Sequence, residues 1–335
     1  MNSKIILFPK PNKVEIGEIE IPATGSRQIL TRTIYSAVRA GAERRVFTGK
    51  EKEATFPLIP GYENVGVIVE AGENVHYAPG TMVYISHSEY TERFGKFWGG
   101  HMEYALADAN QVIPIPDGVD PYDALYTSVA AVSLKGIKRG MISQGDTVAI
   151  VGLGLIGHLA VQFAKLMGAK VIAVDKNQNR LDFARLAGAD YILNTMNGDL
   201  KNMMSTFSNN GGIDVAMDAT ETSNVFDDSE KLFQNSKWDF PFTESKRLIL
   251  FGSSDEPDPA ECPPSLQEEK ANELSSWCAS FEDKKEAMVL LYHNKIDPEK
   301  IPADVYSYTD AANAYRGLVD GNLTHVVFSW NLTGQ

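Results

Sequence analysis

"DTVAIVGLGLIGHLAVQFAKLMGAKVIAVD", residues 146–175, is the stretch from which the fold is read. An apolar run of strand length, TVAIV, passes into glycines. Apolar residues then recur at helical spacing until Gly168, and a second apolar run, KVIAVD, ends at Asp175. Gly152, Gly154 and Gly157 have the G-x-G-x-x-G spacing, placed between a strand and the helix that Leu155 and Ile156 open. The first glycine allows a tight turn and the second lets backbone approach a pyrophosphate. The third lets helix and strand pack closely, and the helix N-terminus faces the phosphates. Asp175 is placed to accept hydrogen bonds from the adenosine ribose and to repel a 2′-phosphate, which favours NAD. Lys176 and Arg180 beside it soften that preference and leave NADP as the second choice.

Outward from this unit the chain has two textures. Residues 1–120 consist of short strand-like runs broken by Gly and Pro, such as "KIILF", "ENVGVIVEAG" and "NQVIPIPDG". From about residue 121 strands alternate with helices. "PYDALYTSVAAVSLKGIKRG" reads as a helix, "NQNRLDFARLAGA" as another, and "DYILN", "IDVAMDAT" and "KRLILFGSS" as strands. This β-α-β-α-β series predicts a doubly wound parallel sheet. "SYTDAANAYRGLVDGNLTHVVFSW" reads as a helix stopped near Gly321 and a closing strand. The polar stretches 224–246 and 253–270 read as surface loops.

Composition bounds the function. Over 335 residues, 43% are hydrophobic and 22% charged, which is globular and leaves room for two domains. A formal net charge of −13 argues against nucleic acid or an anionic membrane as the main partner, since both select a basic face. Two cysteines, Cys262 and Cys278, imply no disulfide framework. The run IILF before Pro9 is too short for a signal peptide, and no apolar run reaches the roughly 18 residues of a membrane span. A cytoplasmic protein with a small-molecule substrate is the expectation.

"PLIPGYENVGVIVEAG", "GGHMEYALAD", the dinucleotide unit and "DAANAYRGLVDGN" together resemble the medium-chain dehydrogenase/reductase superfamily. The resemblance covers nearly the whole chain. It implies a mainly β, GroES-like catalytic domain built from both chain ends, 1–122 and 282–335. A Rossmann domain, 123–281, is inserted between them, with substrate held where the two meet. It further implies cofactor contacts at Thr220, Phe251, Gly252 and Ser280, and a homodimer.

A zinc-dependent member binds its metal through positions that fall here on Ala40, Tyr62 of "GYE" and Thr127. Zinc needs strong N, S or O⁻ donors, and alanine, neutral tyrosine and threonine do not supply them. The cysteines of a structural zinc site are also missing from residues 86–100. The expectation is therefore no zinc and no other metal. "AGAERRVFTGK", "PLIPGYE" and "VVFSW" look most like the zinc-free, bacteriochlorophyllide dehydrogenase-like branch.

Without a metal, a side chain must handle the proton that accompanies hydride transfer. Tyr62, at a former ligand position, is the first candidate. His101, in "WGGHMEYA", has the better intrinsic pKa for a relay. Glu63 matches a family glutamate that sits beside the metal, Glu43 is expected to orient a neighbouring arginine, and Arg39 is the candidate positive charge near Tyr62. His87, Tyr90 and Trp98 are candidates for shaping a pocket. The leading expectation is a zinc-independent NAD(P)-dependent oxidoreductase acting on a secondary alcohol or ketone. The alternatives are a quinone or enoyl (C=C) reductase, for which the usual Asn-Pro-x-Asp motif is missing, and a catalytically inactive nucleotide-binding protein.

Overall fold

The computed structural model describes residues 1–86, 94, 98–196, 212–220, 247–251, 273–275 and 279–330. The chain divides into two compact units, Met1–Ser128 with Ala303–Gln335, and Val129–Pro302.

The first unit begins with the antiparallel pair β1 (Asn2–Leu7) and β2 (Glu15–Glu20), then β3 (Gln28–Val38), the helix α1 (Ala40–Phe47) and β4 (Glu63–Ala71). β5 (Met82–Ile85), β6 (Tyr104–Asp108), β7 (Val112–Pro114) and the short α2 (Pro121–Ala124) follow. α3 (Thr127–Arg139) leads into the second unit. The segment expected as one helix is thus two. Asp120 caps α2 at the Tyr122 amide with Pro121 in its first turn, and Thr127 opens α3 with its hydroxyl donating to the Ala124 carbonyl.

The second unit contains β8 (Thr147–Val151), α4 (Leu155–Leu166), β9 (Lys170–Asp175), α5 (Gln178–Leu186) and β10 (Tyr191–Asn194). β11 (Val215–Asp218), β12 (Arg247–Leu250), β13 (Glu273–Ser275) and α6 (Phe281–Tyr292) complete it. The chain returns to the first unit with β14 (Asp304–Ser307), α7 (Ala311–Val319) and β15 (Val326–Ser329).

In the second unit the described strands pair in parallel in the order β10-β9-β8-β11-β12-β13. The order reverses between β8 and β11, and in such sheets ligands bind at that reversal, off the carboxyl ends of the strands. β8, β9 and β11 are apolar on both faces, as a sheet covered by helices requires. α4 ends where its sequence turns to Gly168, which adopts φ +81°. β13 was not legible in the sequence, being three residues beside an acidic, Pro-rich stretch.

The boundary between units lies after Pro302, about twenty residues beyond the expected one. The cause is a reciprocal clamp. Gln162 of α4 donates its amide to the Asp297 carbonyl (2.9 Å) and accepts the Asp297 N–H (2.6 Å), so the chain after α6 stays on the second unit. Lys138 and Lys135 of α3 pair with Glu286 and Asp283 of α6.

In the first unit the sheet runs β14-β15-β3-β4-β5-β7, with β6 also on β3. β3 is the hub, antiparallel to β15, β4 and β6. One core gathers Phe8, Phe47, Tyr315, Phe328 and Trp330 between β1, α1, α7 and β15. Another gathers Ile29, Ile59, Ile68, Val83 and Leu106. Among the described residues no helix is long and apolar enough to cross a membrane.

His325, just before β15, is buried against the Tyr126 ring at 5.1 Å. Burial lowers its pKa to about 4, opposed by the Val38 backbone. The unfolded chain therefore binds a proton that the folded chain refuses between about pH 6.5 and about 4. Stability from this group is present above that window and is lost as pH falls through it. Denaturant titrations should show the parent losing about 1.4 kcal/mol more per pH unit in the window than His325→Phe. Parallel pH profiles of the two proteins would refute the assignment.

Candidate active site

The fingerprint turn is closed by contacts that leave no room for side chains. The Gly152 amide bonds the Val174 carbonyl (2.9 Å) and its φ is +88°. A Cβ on Gly157 would stand 1.9 Å from the Gly152 carbonyl oxygen, whereas one on Gly154 would meet nothing within 4 Å. Gly154 is the N-cap of α4 and offers no side-chain cap, so the first N–H groups of α4, from Leu155, Ile156 and Gly157, receive no side-chain acceptor there. Such an end binds anions.

Asp175 ends β9 with its carboxylate nearly buried. One oxygen accepts the Leu153 N–H (2.7 Å) and the other the Asn177 N–H (2.8 Å), while an Arg180 guanidinium nitrogen lies 3.9 Å away. The carboxylate is thereby fixed beside the glycine turn. Lys176 is exposed. Across the sheet reversal, Ala219 bonds the Val151 carbonyl, and the Thr220 methyl is what a Cβ on Gly152 would meet first, at 2.7 Å. The Thr220 hydroxyl and amide both donate to Asp218 at 2.8 Å; burial raises the Asp218 pKa against those bonds.

His158, not singled out in the sequence, belongs to this assembly. Its ring is buried in α4, with Nδ1 3.0 Å from the Gly154 carbonyl and Nε2 3.0 Å from the Arg180 carbonyl. Burial lowers its pKa, and a neutral ring donates to one of these carbonyls at a time. The sequence signal was a histidine in the otherwise apolar first turn of α4.

Two expected contacts have other duties. Phe251 is 4% exposed, and its ring packs where a Cβ on Gly136 of α3 would clash at 2.3 Å, so the ring faces inward. The Ser280 hydroxyl caps α6 in a reciprocal box with Asp283, accepting from its amide (3.1 Å) and donating to its carboxylate (2.8 Å). Gly252 lies outside the described residues, as do His87 and Tyr90.

In the first unit, two glycine turns hold the candidate catalytic residues. Gly61 (φ +101°) and the Trp98–Gly99 pair (φ +51° and +68°) let "PGYEN" and "WGGH" lie against each other. The Gly100 amide bonds the Gly61 carbonyl (2.7 Å), the His101 amide bonds Pro60 (2.9 Å), and Asn64 reaches the Gly100 carbonyl. A bulky residue in the left-handed region is an outlier that surrounding structure must hold in place. Here it sets Trp98 edge-on to the Tyr62 ring at 5.7 Å. On Tyr62, which is 9% exposed, the Arg39 guanidinium sits 4.7 Å from the ring centroid.

His101 is not at a surface: it is wholly buried, directly beneath Gly61. Its Nδ1 lies 2.7 Å from the Ser36 hydroxyl and its Nε2 3.4 Å from a Glu43 oxygen. Ser36 also accepts from Trp330 Nε1 (2.8 Å). Glu43, likewise wholly buried, accepts the Tyr315 hydroxyl (2.6 Å) and the Arg39 backbone N–H (2.9 Å). It thus holds a neighbouring arginine, Arg39, by its backbone. Glu63 is buried at the start of β4, opposite Ala37. Burial and the Glu63 charge drive up the pKa of Tyr84, whose hydroxyl pairs with Ser128.

A profile described as "Alcohol dehydrogenase GroES-like domain" matches residues 25–117, and one described as "Zinc-binding dehydrogenase" matches 156–236; together they take in about half of the chain. The chain belongs to the medium-chain dehydrogenase/reductase superfamily. It is 33% identical over 215 residues to an alcohol dehydrogenase of Moraxella sp. (strain TAE123), covering 58% of this chain and 64% of the relative. Over 213 residues it is 33% identical to an alcohol dehydrogenase of Geobacillus stearothermophilus, covering 57% and 63%. The matches thus span a little under two thirds of each relative. A protein of Escherichia coli CFT073 described as short chain alcohol dehydrogenase (rspB), solved with NADH, superposes with a TM-score of 0.79. That comparison covers 98% of this chain and 99% of the other, and at 22% identity the likeness is one of fold. The fold shared across the superfamily, a Rossmann-like parallel sheet with a GroES-like domain, is the one seen here.

Nothing in these matches singles out the zinc-free branch or the bacteriochlorophyllide dehydrogenase-like proteins. The residues at the superfamily's zinc positions nevertheless do not fit the ion. Ala40 has no donor, the Thr127 hydroxyl is spent on the Ala124 carbonyl, and Tyr62 lies beneath a guanidinium, which repels a dication. Among the described residues no three His, Cys, Asp or Glu side chains group as a metal site. A dinucleotide does fit, in the Gly154 opening and on the fixed carboxylate of Asp175.

Proposed function

We propose that this protein is a zinc-independent, NAD-preferring dehydrogenase or reductase that interconverts a secondary alcohol and a ketone. The observation that carries the reading is the contrast between its two halves: a complete dinucleotide cradle, and zinc positions occupied by Ala40, Tyr62 and Thr127. When bound, a nicotinamide dinucleotide supplies or accepts hydride at C4. The α4 N-terminus receives the pyrophosphate, and Asp175 accepts from the adenosine ribose hydroxyls. Tyr62 presents its hydroxyl to the substrate oxygen, donating a proton during reduction and receiving one during oxidation. His101, bonded through Nδ1 to Ser36 and buried beneath Gly61, positions the Gly61–Tyr62 turn and does not itself reach substrate.

Two measurements test the reading. Metal analysis of the purified protein should find substoichiometric zinc, and NADH should bind more tightly than NADPH. Stoichiometric zinc required for turnover, or no binding of either nucleotide, would sink it. Asp175→Ser removes the charge facing the ribose and should reverse the nucleotide preference, costing NADH about 1.5–3 kcal/mol, the worth of a charged hydrogen bond. An unchanged NADH-to-NADPH affinity ratio would show that Asp175 does not face the ribose.

A further inference from the structure

Arg39 of the first unit carries its charge over the Tyr62 ring. Its side chain is partly buried, and among the described residues no Asp or Glu lies within ion-pair distance of its guanidinium. In a chain with 44 acidic residues against 31 lysines and arginines, an unpaired cation beside a buried ring is a costly arrangement to keep. The position is nonetheless built. Glu43 grips the Arg39 amide from α1, and the guanidinium lies over the Tyr62 ring. The attraction of a ring face for a guanidinium uses none of its N–H donors up as hydrogen bonds to a carboxylate, and they are available to an oxygen.

We infer that Arg39 is a catalytic residue, the cation that stabilises the alkoxide formed in the reaction, acting together with the Tyr62 hydroxyl. This inference rests on the metal-independent reading above and deepens it: Arg39 precedes Ala40 in the chain and its guanidinium lies over Tyr62, and Ala40 and Tyr62 are two of the positions that by family resemblance would hold a zinc ligand. In the reductive direction the ketone carbon gains the hydride from reduced nicotinamide, which is left oxidised. The C=O π electrons become an oxygen lone pair facing the Arg39 donors. The Tyr62 O–H bond then breaks, its proton goes to that oxygen to give the alcohol, and water restores the phenol proton. A guanidinium keeps its charge throughout, so it serves as a fixed electrostatic partner and takes no part in proton transfer.

The test uses the full chain, stripped with EDTA and supplied with NADH, on butanone, cyclohexanone and acetophenone. Arg39→Ala should lower kcat about 10²–10³-fold, the cost of removing one preorganised oxyanion donor, with KM and NADH affinity close to the parent. Guanidinium chloride below denaturing concentration should restore part of that rate to Arg39→Ala and none to the parent. Arg39→Lys, which keeps the charge and loses the fork, should fall between. Arg39→Ala that keeps the parent kcat, or loses only in KM, overturns the inference and leaves the metal-independent reading standing. A parent that reduces none of the ketones, or does so only after zinc is added, overturns that reading and the inference with it.

Discussion

Gly157→Ala should abolish NADH binding and lower the melting temperature of the protein. The argument is a contest between two effects of known sign. Within α4 an alanine is favoured over glycine by about 0.5–1 kcal/mol through chain entropy. Against this, the new methyl would stand 1.9 Å from the Gly152 carbonyl oxygen, a backbone atom that cannot rotate away. Gly152 is itself held, by its bond to Val174 and by φ +88°, with the Thr220 methyl 2.7 Å from where a Cβ on it would stand. Overpacking without a flexible neighbour costs about 3 kcal/mol or more, so the clash wins. Relief requires α4 to move off β8, which carries the Leu155 and Ile156 amides away from where a pyrophosphate would sit.

Gly154→Ala is the control, because its Cβ meets nothing in the protein. That variant should melt within about 0.5 kcal/mol of the parent yet bind NADH poorly, since its methyl occupies the space that the dinucleotide needs. Thermal denaturation and NADH fluorescence separate the two. Gly157→Ala with parental stability and affinity would show that this turn is not the nucleotide site.

The dinucleotide half was legible because its physics is local. Glycine spacing, a strand before it, a helix after it and an acid at the end of the next strand all fall within thirty residues, and each has a backbone reason. The buried polar chain was not, although His101, Glu43 and Arg39 were each noticed. Its bonds join residues 65, 272 and 294 positions apart, so only the pairing of β3 with β15 and the seating of α7 on α1 bring them together. His101 follows Gly99 and Gly100, and those glycines let two turns interlock above its buried ring. Phe251 and Ser280 were named from motif position alone. A motif position says where a residue stands along the chain, not which way it faces, and here one packs inward and the other caps a helix.

Glu43→Ala should be the most destabilising single change in the first unit, by about 3–5 kcal/mol in urea titrations. The carboxylate has no solvent exposure and its oxygens accept from the Arg39 amide and the Tyr315 hydroxyl. Alanine leaves the Arg39 amide and the Tyr315 hydroxyl buried without their acceptor, each costing about 1–3 kcal/mol, besides a small cavity. The mechanism can be separated from simple loss of packing by a cycle with Tyr315→Phe. Alone, Tyr315→Phe removes a donor from an intact carboxylate and should cost about 1 kcal/mol. In the Glu43→Ala background it removes an orphaned hydroxyl, so its effect should shrink toward zero or turn stabilising, giving a coupling of at least about 1 kcal/mol. Additive effects would mean that the Glu43–Tyr315 bond does not hold α1 to α7. Because Glu43 also fixes the Arg39 backbone, Glu43→Ala should lower the ketone-reduction rate even at temperatures where the variant stays folded. Tyr315→Phe, which leaves that grip intact, should keep the parental rate.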